Sequence, residues 1–283
     1  MIKTLGVVGC GQMGSGIAQA AAQAGFKVIS YEIDEKFWKK GFARIEKNID
    51  KAIEKGKADQ AFKDKVMANL TGTTTLEDLK DCDLVVEAII ERMEDKIDVF
   101  AKLGTICKPE TILATNTSSL PVGDMAVSSG RPDKFCGLHF FNPVHIMKLV
   151  ELVRTIDTSD ETIAAAKEFA VACGKEVILA KDRPGFIVNV LLVPYLLDAI
   201  RLLEDGHGTR DDIDKGMMFG CGHPMGPLTL NDFIGLDTML HIADIMFEEF
   251  KDKHYAAPPL LRRMVNAGYL GKKSGRGFYD YTK

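Results

Sequence analysis

The segment Val7-Val8-Gly9-Cys10-Gly11-Gln12-Met13-Gly14 constrains this chain more than any other stretch. An apolar strand-like run leads into Gly-x-Gly-x-x-Gly, and the helical run Ser15 to Gly25 follows. Gly9 permits the tight strand-to-helix turn, Gly11 lets a pyrophosphate approach the backbone, and Gly14 lets the helix pack closely on the sheet. The phosphates then face free N–H groups at the positive end of a helix. A glycine-rich turn alone is a weak signal. Here a second strand, Lys27-Val28-Ile29-Ser30-Tyr31, ends in Glu32. That acid lies about 20 residues past the glycines, where a ribose-binding carboxylate belongs. The competing reading is a structural turn beside a solvated strand-end acid.

The pattern that follows alternates. A long charged segment without proline, Glu35 to about Gly56, predicts a helix, and a second helix is expected around residues 60–67. Strands are expected at Thr71 to Thr75, Asp83 to Ile89, Thr111 to Asn116, Phe135 to Phe141, Lys148 to Thr155 and Glu176 to Ala180. Helices at Met93 to Leu103 and Glu161 to Cys173 lie between them. The unbroken apolar character of residues 83–89 fits a strand covered on both faces. Such alternation predicts an α/β fold, a Rossmann-type and mostly parallel sheet with helices on both sides.

The character changes at Asp182-Arg183-Pro184-Gly185. Beyond it no strand-like run occurs, and helices are expected at Phe186 to Glu204, Asp211 to Phe219 and Leu236 to Phe250. We therefore expect an NAD-binding domain over residues 1–184 and an all-α domain over 185–283. The second domain's helices are more apolar than a small lone domain can bury, which predicts packing against other surfaces and a homodimer.

A net charge of −4 gives nucleic-acid binding no electrostatic support. No apolar run approaches the roughly 20 residues of a bilayer span. The chain enters a strand at once, so no leader peptide is expected. The six cysteines are scattered without a Cys-x-x-Cys pair and read as reduced packing residues of a cytoplasmic protein, with no metal site.

Strand ends of an open α/β sheet are where ligands bind. The expected ends carry Glu32, Glu87, Asn116 with Ser118, and His139 with Asn142. Glu151 stands inside the apolar run Lys148 to Val153 and needs a partner, because a buried lone carboxylate is costly. A His139–Glu151 pair on neighbouring strands satisfies both side chains. It also makes an acid/base unit, in which the carboxylate orients the ring and favours its protonated form. Lys40, Arg44, Lys47, Lys51 and Lys55 recur at helical spacing on one face. They read as a phosphate-binding stripe or as a solvated face, since Glu46, Asp50 and Glu54 interleave.

Taken together, Gly9 to Gly14, Asn116-Thr117-Ser118-Ser119, His139-Phe140-Phe141-Asn142-Pro143, Met147 to Glu151 and Pro184 to Asn189 resemble the L-3-hydroxyacyl-CoA dehydrogenases. So do His223-Pro224-Met225-Gly226-Pro227 and Gly271 to Tyr279. The resemblance spans the chain and is greatest to the short bacterial members that act on 3-hydroxybutyryl-CoA in butyrate and butanol fermentation. It implies NAD as cofactor and an acyl-CoA substrate. The family's catalytic histidine falls on His139, its partner acid on Glu151, and a serine touching substrate and nicotinamide on Ser118. A substrate-binding asparagine falls on Asn189, and the adenosine-ribose acid on Glu32. Glu91, Lys96, Asn142 and Lys273 fall at further cofactor-contacting positions, and the family's lysines for coenzyme A near Lys51 and Lys55.

Three positions depart from the family's pattern. Cys10 replaces a small residue, His145 stands where proline is frequent, and Val190 where arginine is frequent. The competing functions are a 3-hydroxyacid dehydrogenase that needs no CoA and a non-catalytic NAD-binding protein of the lambda-crystallin type. The His139/Glu151 pair disfavours the second.

Overall fold

In the first unit, β1 (Thr4–Val8) feeds α1 (Gln12–Gln23), and β2 (Lys27–Tyr31) feeds α2 (Glu35–Glu54) and α3 (Gln60–Ala68). Then come β3 (Leu70–Thr73), β4 (Leu84–Glu87), α4 (Met93–Ile106), β5 (Ile112–Thr115) and α5 (Val122–Ser128). β6 (Phe135–Phe140), β7 (Leu149–Arg154), α6 (Asp160–Ala172) and β8 (Glu176–Lys181) complete it. This computed structural model describes residues 2–282, and the chain divides into two compact units, Met1–Asp182 and Arg183–Lys283.

The eight strands form one sheet in the order β3-β2-β1-β4-β5-β6-β7-β8. Neighbours run parallel except β6 and β7. Residues 141–148 connect those two strands, too few for the crossover a parallel pair requires, so the chain turns straight back. The central strands are sealed on both faces: Leu84, Val85, Val86, Leu113 and Ala114 are fully buried. That explains their unbroken apolar sequence.

Helix starts follow local chemistry where a cap is present. Asp34, Asp59 and Ser159 accept backbone N–H groups at the first turns of α2, α3 and α6. Helix α5 was not expected. Its first N–H groups, from Val122 and Gly123, are held by the Asp182 carboxylate at 2.9 and 2.7 Å, sixty residues away in sequence. No local pattern marks such a start.

The second unit is helical: α7 (Val188–Glu204), α8 (Arg210–Lys215), α9 (Pro227–Ile234), α10 (Leu236–Phe250) and α11 (Pro259–Asn266). Their apolar faces meet in a core that includes Leu196, Leu197, Ile200, Leu228, Met239 and Met246. The helix expected over 211–219 ends at Lys215 and continues as a wider π turn, Gly216–Gly220. Helices α9 and α11 were not among the expected helices. Both start on the proline itself, at the first helical position, where a missing N–H costs nothing.

Candidate active site

The glycine turn sits where β1 lies between β2 and β4, the point at which strand order reverses. Gly9 has φ 93°, a left-handed conformation that glycine adopts without strain. A Cβ on Gly14 would overlap the Gly9 carbonyl oxygen, so helix and strand meet at closest approach there. Gly11 differs: a Cβ on it would meet no protein atom within 4 Å. Its bareness therefore serves no packing need of the chain and leaves a cradle that a ligand can enter. α1 starts with no side-chain cap and no acid in its first turn, so its N–H groups stay available to an anion. The turn is braced from two sides. Glu32 Oε1 accepts the Cys10 N–H at 2.6 Å, and Arg44 Nη1 donates to Gly11 O and Ser15 Oγ, each at 2.8 Å. The Cys10 thiol is pushed up to about 12 by burial and then by the Glu32 charge, so it is an inert packing group.

At the far end of the same sheet edge, β6 and β7 place His139 directly opposite Glu151. Opposed residues of an antiparallel pair share a face. His139 Nδ1 and Glu151 Oε2 lie 2.6 Å apart, both buried, and His139 Nε2 lies 3.0 Å from Ser118 Oγ. The ring thus bridges the Glu151 carboxyl on its Nδ1 side and the Ser118 hydroxyl on its Nε2 side. Asn116 Oδ1 accepts the Phe140 N–H at 2.9 Å and ties the loop after β5 to the end of β6. Ser118 and His139 are thereby held in register.

Beneath the Ser118 loop is an ionic floor that sequence reasoning missed. Lys96 is 1% exposed, and its ammonium meets Glu87 Oε1 at 2.5 Å and Glu91 Oε2 at 3.3 Å. Glu87 also accepts the Thr115 hydroxyl and the Ile89 N–H, both at 2.7 Å. Glu91 takes a short hydrogen bond from the Thr117 hydroxyl and one from the Ser118 N–H at 3.0 Å. Burial alone would raise the Glu91 carboxyl, but the Lys96 charge and the bonds from Thr117 and Ser118 outweigh it and hold it below the usual carboxylate range. Lys96 is thus buried beneath the Ser118 loop, and Glu91 holds that loop through Thr117 and Ser118.

Among the other residues singled out, Asn142 is exposed just past β6, and Gln12 and Met13 open α1. Lys51 and Lys55 are exposed at the end of α2. The interleaved acids Glu46 and Asp50 turn to Lys63, at 3.0 and 2.7 Å. Lys51 makes no ion pair among the described residues, so the helix is not uniformly laced with salt bridges. In the second unit Asn189 is half-buried in the first turn of α7, and its N–H donates to Gly185 O at 3.0 Å. Lys273 of that unit is paired with Asp237 at 2.5 Å.

The model for the 3-hydroxyacyl-CoA dehydrogenase NAD binding domain matches residues 4–183, and that for the family's C-terminal domain matches residues 185–281. The chain belongs to the 3-hydroxyacyl-CoA dehydrogenase family. Its first unit is accordingly an NAD-binding domain. A 3-hydroxybutyryl-CoA dehydrogenase of Mycobacterium tuberculosis is 51% identical over 282 residues, covering 99% of each chain. One of Clostridioides difficile is 44% identical over 279 residues, again covering 99% of each. The crystal structure of (S)-3-hydroxybutyryl-CoA dehydrogenase PaaH1 from Ralstonia eutropha superposes with a TM-score of 0.96 at 43% identity, covering 100% of both chains. No helix among the described residues is long and apolar enough to cross a membrane.

Two residues that hold the Ser118 and His139 segments left only faint traces in the sequence. Glu87 was visible as an acid at a strand end, but its pairing with Lys96 was not, because a helix turn and a loop intervene. Asn116 was visible as polar, yet its use as a backbone clamp depends on β6 lying beside β5.

Proposed function

We propose that this protein interconverts acetoacetyl-CoA and (S)-3-hydroxybutyryl-CoA with NAD(H), in short-chain acyl-CoA metabolism of the butyrate-fermentation or fatty-acid type. The observation that carries this reading is the Ser118–His139–Glu151 chain at the ligand-binding edge of an NAD-binding sheet. NADH supplies the hydride when bound. In reduction the 3-oxo oxygen gains negative charge, and His139 Nε2 delivers a proton to it. Glu151 holds the ring and stabilises its positive charge, and the Ser118 hydroxyl donates to the same oxygen. Asn189 adds an amide contact to the acyl end. Asn142 and Glu91 belong to the nicotinamide side, Gly9 to Gly14 to the pyrophosphate, Glu32 to the adenosine ribose, and Lys273 to a further cofactor contact. The deciding measurement is NADH absorbance during turnover of acetoacetyl-CoA, longer 3-oxoacyl-CoAs and free acetoacetate. Turnover of the free acid at a comparable kcat/KM would remove the CoA requirement, and no turnover of any would leave a non-catalytic NAD-binding protein.

Cofactor choice follows from Glu32. A carboxylate at the end of β2 accepts from ribose hydroxyls and repels a 2′-phosphate of roughly −2 charge. NADH should therefore be used far more efficiently than NADPH. Equal kcat/KM for the two would overturn the assignment of Glu32.

Lys51 and Lys55 serve the nucleotide end of CoA. Changing both to Ala should raise KM for acetoacetyl-CoA and flatten its salt dependence. The change leaves kcat nearly unaltered, because contacts made equally in ground and transition states do not lower the chemical barrier. An unchanged KM would make α2 a plain solvated face.

The protein is a cytoplasmic homodimer joined through its second unit. Phe219, Leu191 and Phe233 of that unit are 81%, 72% and 55% exposed, apolar side chains that an interface between two copies would cover. Light scattering at micromolar concentration should give twice the chain mass. The chain mass alone would remove this reading.

A further inference from the structure

Resting on the acyl-CoA reading above, we propose that His145 is a phosphate ligand for the CoA moiety, acting beside Lys51 as a proton-gated arm of the nucleotide site. The loop that carries it, residues 141–148, joins the strand of His139 to the strand of Glu151. Val144 is buried against α1 so closely that a Cβ on Gly16 would come within 2.8 Å of it. One turn further along α1, Gln19 accepts a hydrogen bond from Asn48 of α2 at 3.0 Å. Lys51 is the next turn of α2. Helix α1 therefore holds the loop and the basic end of α2 on one flank, with His145 and Lys51 both exposed there.

The loop is pinned from below. The ammonium of Lys175, a buried residue, donates to Val144 O at 2.5 Å and to Met147 O at 2.8 Å, on either side of His145. These two bonds hold the backbone on either side of His145 in place.

The groups around the ring share one sign. Lys51 faces it from α2 and Lys175 from the turn between α6 and β8, and Lys148 follows on its own segment. Cys173 of the same turn is pushed up to about 12 by burial and stays neutral, and α1 carries no charged residue. Burial first, then the charges of Lys175 and Lys51, hold the imidazole below its ordinary range, so it is uncharged at neutral pH when nothing is bound. A phosphate dianion supplies the missing counter-charge and restores the proton. Binding then takes up a proton. The affinity gained from His145 begins as pH falls through the pKa of the occupied site and levels off below the lowered pKa of the empty one. A shift of about one unit on occupation tightens binding up to about tenfold.

The test is the Kd of CoA for the NAD-loaded protein between pH 8 and pH 5.5 in a phosphate-free buffer, for wild type, His145→Gln and His145→Pro. CoA's own phosphate monoester loses charge near pH 6, as phosphorylated side chains do. The informative quantity is thus the difference between wild type and variants. Wild type should bind with about the variants' affinity at pH 8 and about three- to tenfold more tightly at pH 5.5, the range a partly screened charge-assisted contact allows. Calorimetry in buffers of different ionisation enthalpy should show proton uptake on CoA binding that the variants lack. Parallel pH profiles with equal proton uptake, while acetoacetyl-CoA is still reduced, would overturn the role of His145 alone. Loss of both CoA binding and acetoacetyl-CoA reduction in wild type would sink the acyl-CoA reading with it.

Discussion

His139→Ala should lower kcat for acetoacetyl-CoA reduction by about 10²–10⁴-fold, the usual worth of a positioned proton donor, while NADH affinity should change little. The geometry separates the two functions. The glycine turn lies between β2 and β4, whereas His139 lies on β6. Imidazole is the side chain whose ordinary titration range brackets neutral pH, which suits it to give a proton in reduction and take one in oxidation. Glu151→Gln provides the second arm. The amide keeps the shape and a hydrogen-bonding oxygen but does not stabilise the imidazolium, so the rate falls and its pH profile moves toward lower pH. Steady-state kinetics over pH and NADH titration by fluorescence check both. Wild-type kcat in His139→Ala would remove this residue as the proton donor, and an unmoved profile in Glu151→Gln would reduce Glu151 to a packing partner.

The largest effect on stability is expected from Lys96→Met. The side chain is replaced by one of similar length, but Glu87, fully buried, is left with no cation against it. Removing one partner of a buried ion pair typically costs about 3–5 kcal/mol, because the remaining charge stays desolvated. Glu91 loses the same cation, and with it the hold on Thr117 and Ser118 weakens. Urea denaturation of Lys96→Met should show that loss, and kcat should fall with it. The double change Glu87→Gln with Lys96→Met should recover much of the stability, since no unpaired charge then remains at Glu87. A Lys96→Met protein as stable as wild type would show that the floor is not under electrostatic load. A double variant no better than the single one would point to packing.

Much of the NAD-binding unit was legible because its determinants are local. Gly9, Gly11 and Gly14 act within one turn, and Glu32 is placed by the length of a single βαβ unit. The strands announce themselves as apolar runs bounded by polar ends. Even the His139–Glu151 pair could be inferred, because a carboxylate inside an apolar strand requires a partner and a histidine stood on the preceding strand. The resemblance then attached roles to positions such as Ser118 and Asn189, for which the residues alone leave a bland reading equally open.

What stayed hidden depends on neighbours far apart in sequence. The resemblance marks Lys96 as a cofactor-contacting position, but nothing near it in sequence shows that α4 sets its ammonium against Glu87 at the end of β4. Asp182 reads as a linker acid until it starts α5. Lys175 reads as a turn residue after α6 until it takes the carbonyls on either side of His145. The sequence by itself determined the glycine cradle, the alternating sheet and the need of Glu151 for a cation or donor, because each follows from steric or desolvation costs paid within a few residues. Only the tertiary structure decided which buried charges meet, which backbone groups they satisfy and how the Ser118 and His145 loops are held. Those choices are fixed by the order in which strands stack, and no short window of sequence carries that order.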